Sequence, residues 1–146
     1  AVLLAAIDAS DSASRVVSMA ARLTRLHPKT TLHLAHVFRA GALDRPVPAV
    51  ASRAQLIDEA REFLQHHVRM ARRQCNVQVL DHFVLGEPTT EIVGLAQKIN
   101  ADVLVIGTHE TTAFERLLLG SVAESILRRA GCSVMIVRPR AHQPQG

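Results

Sequence analysis

Four consecutive apolar residues, Val103-Leu104-Val105-Ile106, stand between Asp102 and Gly107, and they restrict this chain more than any other stretch. A short run rich in β-branched residues reads as a strand buried on both faces, the signature of a parallel sheet covered by helices. Further on, Gly120-Ser121 opens a helix that continues to Arg129. A glycine after a parallel strand, with a Gly-Ser helix start beyond it, is a general arrangement for holding phosphate. Backbone amides and the helix dipole face the anion, and glycine lets the main chain come close. On local grounds the same glycine is also ordinary turn chemistry, and both readings stand.

The rest of the chain repeats the strand–helix alternation. Residues 2 to 7 form a first strand, and Asp8 to Ser12 supplies turn and helix-capping residues. Val16, Val17, Met19, Ala20, Leu23 and Leu26 recur at helical spacing until His27-Pro28 stops them. Thr31 to Phe38 reads as strand two, and residues 39 to about 48, with Gly41, Pro46 and Pro48, as the longest irregular stretch. A long helix spans about residues 51 to 73. Asn76 to Val84 is a third strand with one polar face, suited to a sheet edge. Leu85-Gly86-Glu87-Pro88 reads as a turn, Thr89 to Ile99 as a third helix, and Ser133 to Val137 as a last strand. Five strands separated by helices predict an α/β fold: an open five-stranded parallel sheet, Rossmann-like, with helices on both faces. Ligands in such sheets bind at the carboxyl ends of the strands where the strand order reverses, which gathers Asp8, Val37 and Gly107.

Composition narrows the function classes. The chain has 146 residues, 48% hydrophobic and 21% charged, as expected of one compact soluble domain without a membrane span or signal peptide. Cys75 and Cys132 lack metal-ligand spacing and suit a reducing compartment, so cytoplasm is the expected location. The net charge is +4, yet the arginines cluster where helices should end: Arg22 and Arg25, Arg69, Arg72 and Arg73, Arg128 and Arg129. With four Phe and no Trp or Tyr the chain offers no base-stacking platform, which argues against nucleic acid.

The residues from Gly107 onward, with Gly120-Ser121 and then Val-Ala-Glu-Ser-Ile-Leu-Arg-Arg-Ala-Gly-Cys-Ser-Val-Met-Ile-Val, resemble the C-terminal signature of the universal stress protein family. Ile7-Asp8-Ala9-Ser10 resembles the family's opening, Leu34-Ala35-His36-Val37 its second strand, and Leu85-Gly86-Glu87-Pro88 its turn into the third helix. The resemblance implies a nucleotide-binding α/β domain over residues 1–140, followed by a frayed polar tail, 141–146. It also implies a homodimer formed through the last strand, Ser133 to Val137. It places Asp8 beside the nucleoside, Val37 at the adenine, Ile106 and Gly107 along the nucleoside–phosphate wall, and Gly120, Ser121 and Val122 at the far phosphate cradle. One position departs from the pattern: the family's second glycine is replaced by Glu110.

Each of these residues also has a plain structural reading. Asp8 and Ser121 serve equally as helix caps, and Val37 as core. Glu110 would repel a phosphate by about 1 kcal/mol even at water's dielectric, unless it turns to solvent or holds a magnesium ion that bridges to phosphate. Thr108, Thr111 and Thr112 are possible hydroxyl donors to an anion. His66 and His67, following Glu59 and Glu62, read as a solvated helix face. His33 and His36 fall on opposite faces of a strand and cannot share a metal. His109 matches a histidine common in the family's loop. The resemblance implies a stress-response binding protein for ATP or AMP, with or without magnesium, and because no catalytic set emerges any ATP hydrolysis is expected to be slow and incidental. The alternatives are a nucleotide-free dimerisation module that recognises a protein partner, its phosphate loop lost at Glu110, and a dedicated hydrolase or kinase.

Overall fold

The computed structural model describes residues 1–10, 12–39, 52–108 and 119–138. Within them the chain forms β1 (Val2–Ile7), α1 (Ala13–Thr24), β2 (Thr31–Arg39), α2 (Arg53–Gln74), β3 (Gln78–Gly86), α3 (Pro88–Lys98), β4 (Val103–Gly107), α4 (Ser121–Arg129) and β5 (Ser133–Val137). All four strand pairings are parallel, in the order β3-β2-β1-β4-β5. The chain therefore steps outward from β1 to β3, returns to the other side of β1, and steps outward again to β5. The reversal lies between β1 and β4.

Strand periodicity builds two cores, one on each side of the sheet. Leu3, Ala5 and Ile7 of β1 face α1 and α2 together with Leu32, Leu34, Val17, Leu64 and Val68. The alternate residues Leu4 and Ala6 face the other way, with Ala35, Leu104, Ile106, Ile92, Ala123 and Ile126. This two-sided burial is why Val103–Ile106 is an unbroken apolar run. Asp102 ties the entrance of β4 to the centre: its carboxylate accepts the Val2 amide at 2.7 Å.

Helix ends follow the local chemistry. Ser52 and Gln55 form a reciprocal capping box at the start of α2. Arg22, Arg72, Arg73, Arg128 and Arg129 all lie in last turns. Arg25 donates to the Gln74 carbonyl and Arg72 to that of Val79, so part of the positive charge is engaged with backbone acceptors.

Two expectations need correction. The third strand runs from Gln78 to Gly86, later than predicted, because β2 pairs along its whole nine-residue length and draws Leu85 and Gly86 into the ladder opposite Phe38 and Arg39. His67 is buried (6% exposed), whereas His66 is exposed. His67 belongs to the inward stripe Ala60, Leu64, His67, Ala71 of α2, its Nδ1 meets the Phe63 carbonyl at 2.9 Å, and its ring packs on Phe63. Nor does Glu62 serve His66: its carboxylate pairs with Arg69. Glu110, His109, Thr111, Thr112, the whole of the irregular stretch after Arg39 and the 141–146 tail lie outside the described residues.

Candidate functional site

Above the point where the strand order reverses, the carboxyl ends of β1, β2 and β4 and the starts of α3 and α4 enclose a cleft of ≈ 410 Å³. That is the size of pocket that takes a small organic ligand. β1 contributes Ala6, Ile7 and Asp8, β2 Val37 and Arg39, and β4 Ile106, Gly107 and the following Thr108. Pro88 and Ile92 come from α3, and Gly120, Ser121, Val122, Ala123 and Ile126 from α4 and its cap. Seven of the residues singled out from sequence, Asp8, Val37, Ile106, Gly107, Gly120, Ser121 and Val122, thus line one cleft although they come from four parts of the chain.

The floor is apolar and the polar groups sit at its margins. The Asp8 carboxylate accepts the Ser10 amide at 3.0 Å, turning the chain ahead of α1. Ser12, the residue at the cap of α1, makes no side-chain cap bond. At the opposite wall Gly120, not Ser121, is the N-cap of α4, with φ −59° and ψ 156°, and Ser121 is the helix's first residue. Any residue adopts those angles, so backbone conformation alone does not call for glycine at this position. Among the described residues, a Cβ at Gly120 would meet nothing within 4 Å. Glycine is required there neither by backbone geometry nor by packing against the described residues; its effect is to keep the cleft open at the start of α4, where first-turn amides lack helical acceptors.

Gly107 is different. A Cβ there would meet Ser12 Oγ at 2.6 Å, so this glycine permits the close packing of β4 against α1. Thr108, beyond it, is 2% exposed and donates its amide to the Val137 carbonyl at 3.3 Å.

Sequence reasoning missed Arg39, Pro88 and Ile92. In the sequence Pro88 reads as part of a turn, and Ile92 falls inside the third helix without further signal. Arg39 had a signal: it lies two residues beyond Val37, hence on the same face of the strand. Nearby, Glu87 caps α3 by accepting the Thr90 amide at 2.9 Å, and that bond, aided by the Arg39 charge, holds its carboxyl below the usual range.

The histidines assemble away from the cleft. His33 Nδ1 lies 2.8 Å from His82 Nε2 with the rings stacked, on the α3 side of the sheet. His36 Nδ1 meets the Ile7 carbonyl at 3.0 Å on the α2 side, packed on Phe63. Among the described residues no three His, Cys, Asp or Glu side chains gather in a way that would hold a metal ion. No helix of the described residues is long and apolar enough to cross a membrane.

Fold and cleft together define an open, doubly wound α/β domain with its ligand cleft at the switch point of a parallel sheet. The model of the Universal stress protein family matches residues 2–138, and the chain belongs to that family. A universal stress protein of Methanocaldococcus jannaschii is 40% identical over 57% of this chain, and the match covers 48% of that relative. The chain thus spans about half the length of the curated relatives it matches. The universal stress protein of Archaeoglobus fulgidus in complex with dAMP is 27% identical, with a TM-score of 0.67 over 92% of this chain and 94% of that one. A universal stress protein in complex with cAMP is 25% identical, with a TM-score of 0.68 over 95% and 97%.

Proposed function

We propose that the cleft binds an adenine nucleotide, ATP or AMP, and that the protein is a cytoplasmic stress-response module working as a homodimer by binding and not by turnover. The observation that carries this is Gly120: a cap with ordinary dihedrals and no packing constraint from the described residues, without a side chain where the start of α4 lines the cleft. Phosphate is the group such a helix start favours. Gly120, Ser121 and Val122 would hold phosphate, Ile106 and Gly107 would form the wall beside the nucleoside, Val37 would lie under the adenine, and Asp8 would accept from ribose hydroxyls. The relatives with dAMP and cAMP support an adenine nucleotide over other anions. Magnesium would enter with the triphosphate and not as a resident ion. The bound nucleotide supplies recognisable charge and shape, and this chain's own part is to orient it.

The test is direct. Protein purified without added ligand is denatured and the supernatant assayed for adenine nucleotide, and the protein is titrated with ATP and AMP. Release of nucleotide or saturable binding is expected. Neither would favour the nucleotide-free dimerisation module.

A further inference from the structure

The two ends of the cleft differ in chemistry. At one end stands the start of α4 with Gly120; at the other, the last residues of β2. β1 lies between β2 and β4, so those two strand ends are two strand spacings, about 10 Å, apart. If phosphate sits at α4, as the reading above has it, the base extends toward β2. There Val37 and Arg39 share a face, with Pro88 and Ile92 opposite.

Arg39 is the one cationic side chain among the described lining residues, and Asp8 the one acidic. It is exposed and terminates the strand, and its partner across the β2–β3 ladder is Gly86, which has no side chain to crowd it. The space over Gly86 is taken instead by Glu91: a Cβ there would lie 2.9 Å from Glu91 Oε1. Glu91 and the nearby Glu87 therefore set negative charge beside the β2 terminus, at the α3 wall of the cleft. A guanidinium drawn to that wall lies at the base end of the cleft, beside the end of β2. It is also planar, and a planar cation stacks on aromatic rings in a way an ammonium does not.

We propose that Arg39 covers a face of the nucleobase, making the cleft selective for a flat purine over a bare polyphosphate. This rests on the nucleotide reading of the cleft. The contact supplies an affinity for the ring, independent of the phosphates at the other end.

The test is calorimetric titration of wild type, Arg39→Ala and Arg39→Lys with ATP and with inorganic tripolyphosphate. Arg39→Ala should weaken ATP about three- to ten-fold while changing tripolyphosphate less than about two-fold. Arg39→Lys should keep the tripolyphosphate affinity but stay below wild type for ATP, because the charge survives and the plane does not. Equal weakening of both ligands in Arg39→Ala would overturn the proposal in favour of charge steering, and full ATP affinity in Arg39→Lys or Arg39→Ala would overturn it outright. A wild type that binds no ATP removes the nucleotide reading and this proposal together, whereas ATP binding that ignores Arg39 removes this proposal alone.

Discussion

Gly107 and Ser12 approach more closely than any side chain at Gly107 would allow: a Cβ built there would lie 2.6 Å from Ser12 Oγ and 3.1 Å from Val16 Cγ2. Ser12 is itself buried, and its hydroxyl is 2.7 Å from that of Ser10. The start of α1 is thus seated on the end of β4, and this contact sets the distance between Asp8 and the β4 wall of the cleft.

Gly107→Ala should therefore destabilise the fold by about 1–3 kcal/mol, the range for forcing an extra methyl into a packed site. Urea unfolding followed by circular dichroism measures it. A midpoint equal to wild type would mean that α1 yields without cost and that the glycine is there for another reason.

Gly120 predicts the opposite pattern. Its backbone is ordinary and no described residue crowds the space beside it, so Gly120→Val should leave the unfolding free energy within about 0.5 kcal/mol of wild type. Its side chain would project where the first amides of α4 meet the cleft, so ATP binding should be lost. Unchanged affinity in a folded Gly120→Val protein would remove the phosphate role from this cap.

These two glycines show what the sequence does and does not make legible. The buried run at β4, the five strands and the positions of Asp8, Val37 and Ile106 at strand ends followed from periodicity and topology, because two-sided burial writes itself as continuous apolar stretches. The difference between Gly107 and Gly120 did not, since a glycine looks the same whether it admits a neighbouring helix or leaves a cleft open. Arg39 escaped because a charged residue at a strand end also looks like the start of a loop. His67 escaped because its neighbour His66 is exposed, although the stripe Ala60, Leu64, His67, Ala71 was there to be read. The end of β3 was misjudged because Leu85-Gly86 has turn chemistry locally, and only pairing with the full length of β2 overrides it.

On the resemblance read from the sequence, Glu110 takes the place of the family's second glycine. Glu110→Gly should tighten ATP binding about ten-fold, equivalent to about 1.4 kcal/mol, by removing one negative charge from the phosphates. AMP should gain less, and low salt should widen the gap. Weaker binding confined to magnesium-containing buffer would show instead that the carboxylate holds the ion. Titration of both proteins with ATP and AMP, with and without magnesium, separates these results; equal affinities throughout would clear Glu110 of any part in binding.

β5 ends the sheet beyond β4, and it is short and apolar. An edge of this kind is open to pairing with another chain, and two-fold self-pairing there would make the closed dimer proposed above. Amides alternate sides along a strand, so of Met135→Pro and Ile136→Pro one removes a donor facing β4 and the other a donor facing outward. The outward one should yield a folded monomer. Sedimentation velocity reads the outcome, and a wild type that is monomeric at high concentration would refute the dimer.

Acid should weaken the fold through its histidines before its carboxylates. His33, His67 and His82 are all held below the usual histidine range, in each case chiefly by burial. His82 also opposes a charge on His33 across their 2.8 Å contact, while at His82 itself Asp81 favours the charge and Lys98 opposes it. The folded state thus favours neutral imidazoles, whereas the unfolded chain takes up protons near pH 6.5. Above that value both states are neutral and stability is complete. As pH falls below it the unfolded state binds more protons, so stability declines until the lowered folded-state values are passed. The expected result is a urea midpoint that is flat from about pH 8 to 7 and falls between about pH 6.5 and 5. His82→Asn should make that fall shallower by removing one depressed group and relieving the charge on its partner. The same slope in wild type and His82→Asn, or no fall before the carboxylates titrate, would show that the imidazole pair does not couple protonation to folding.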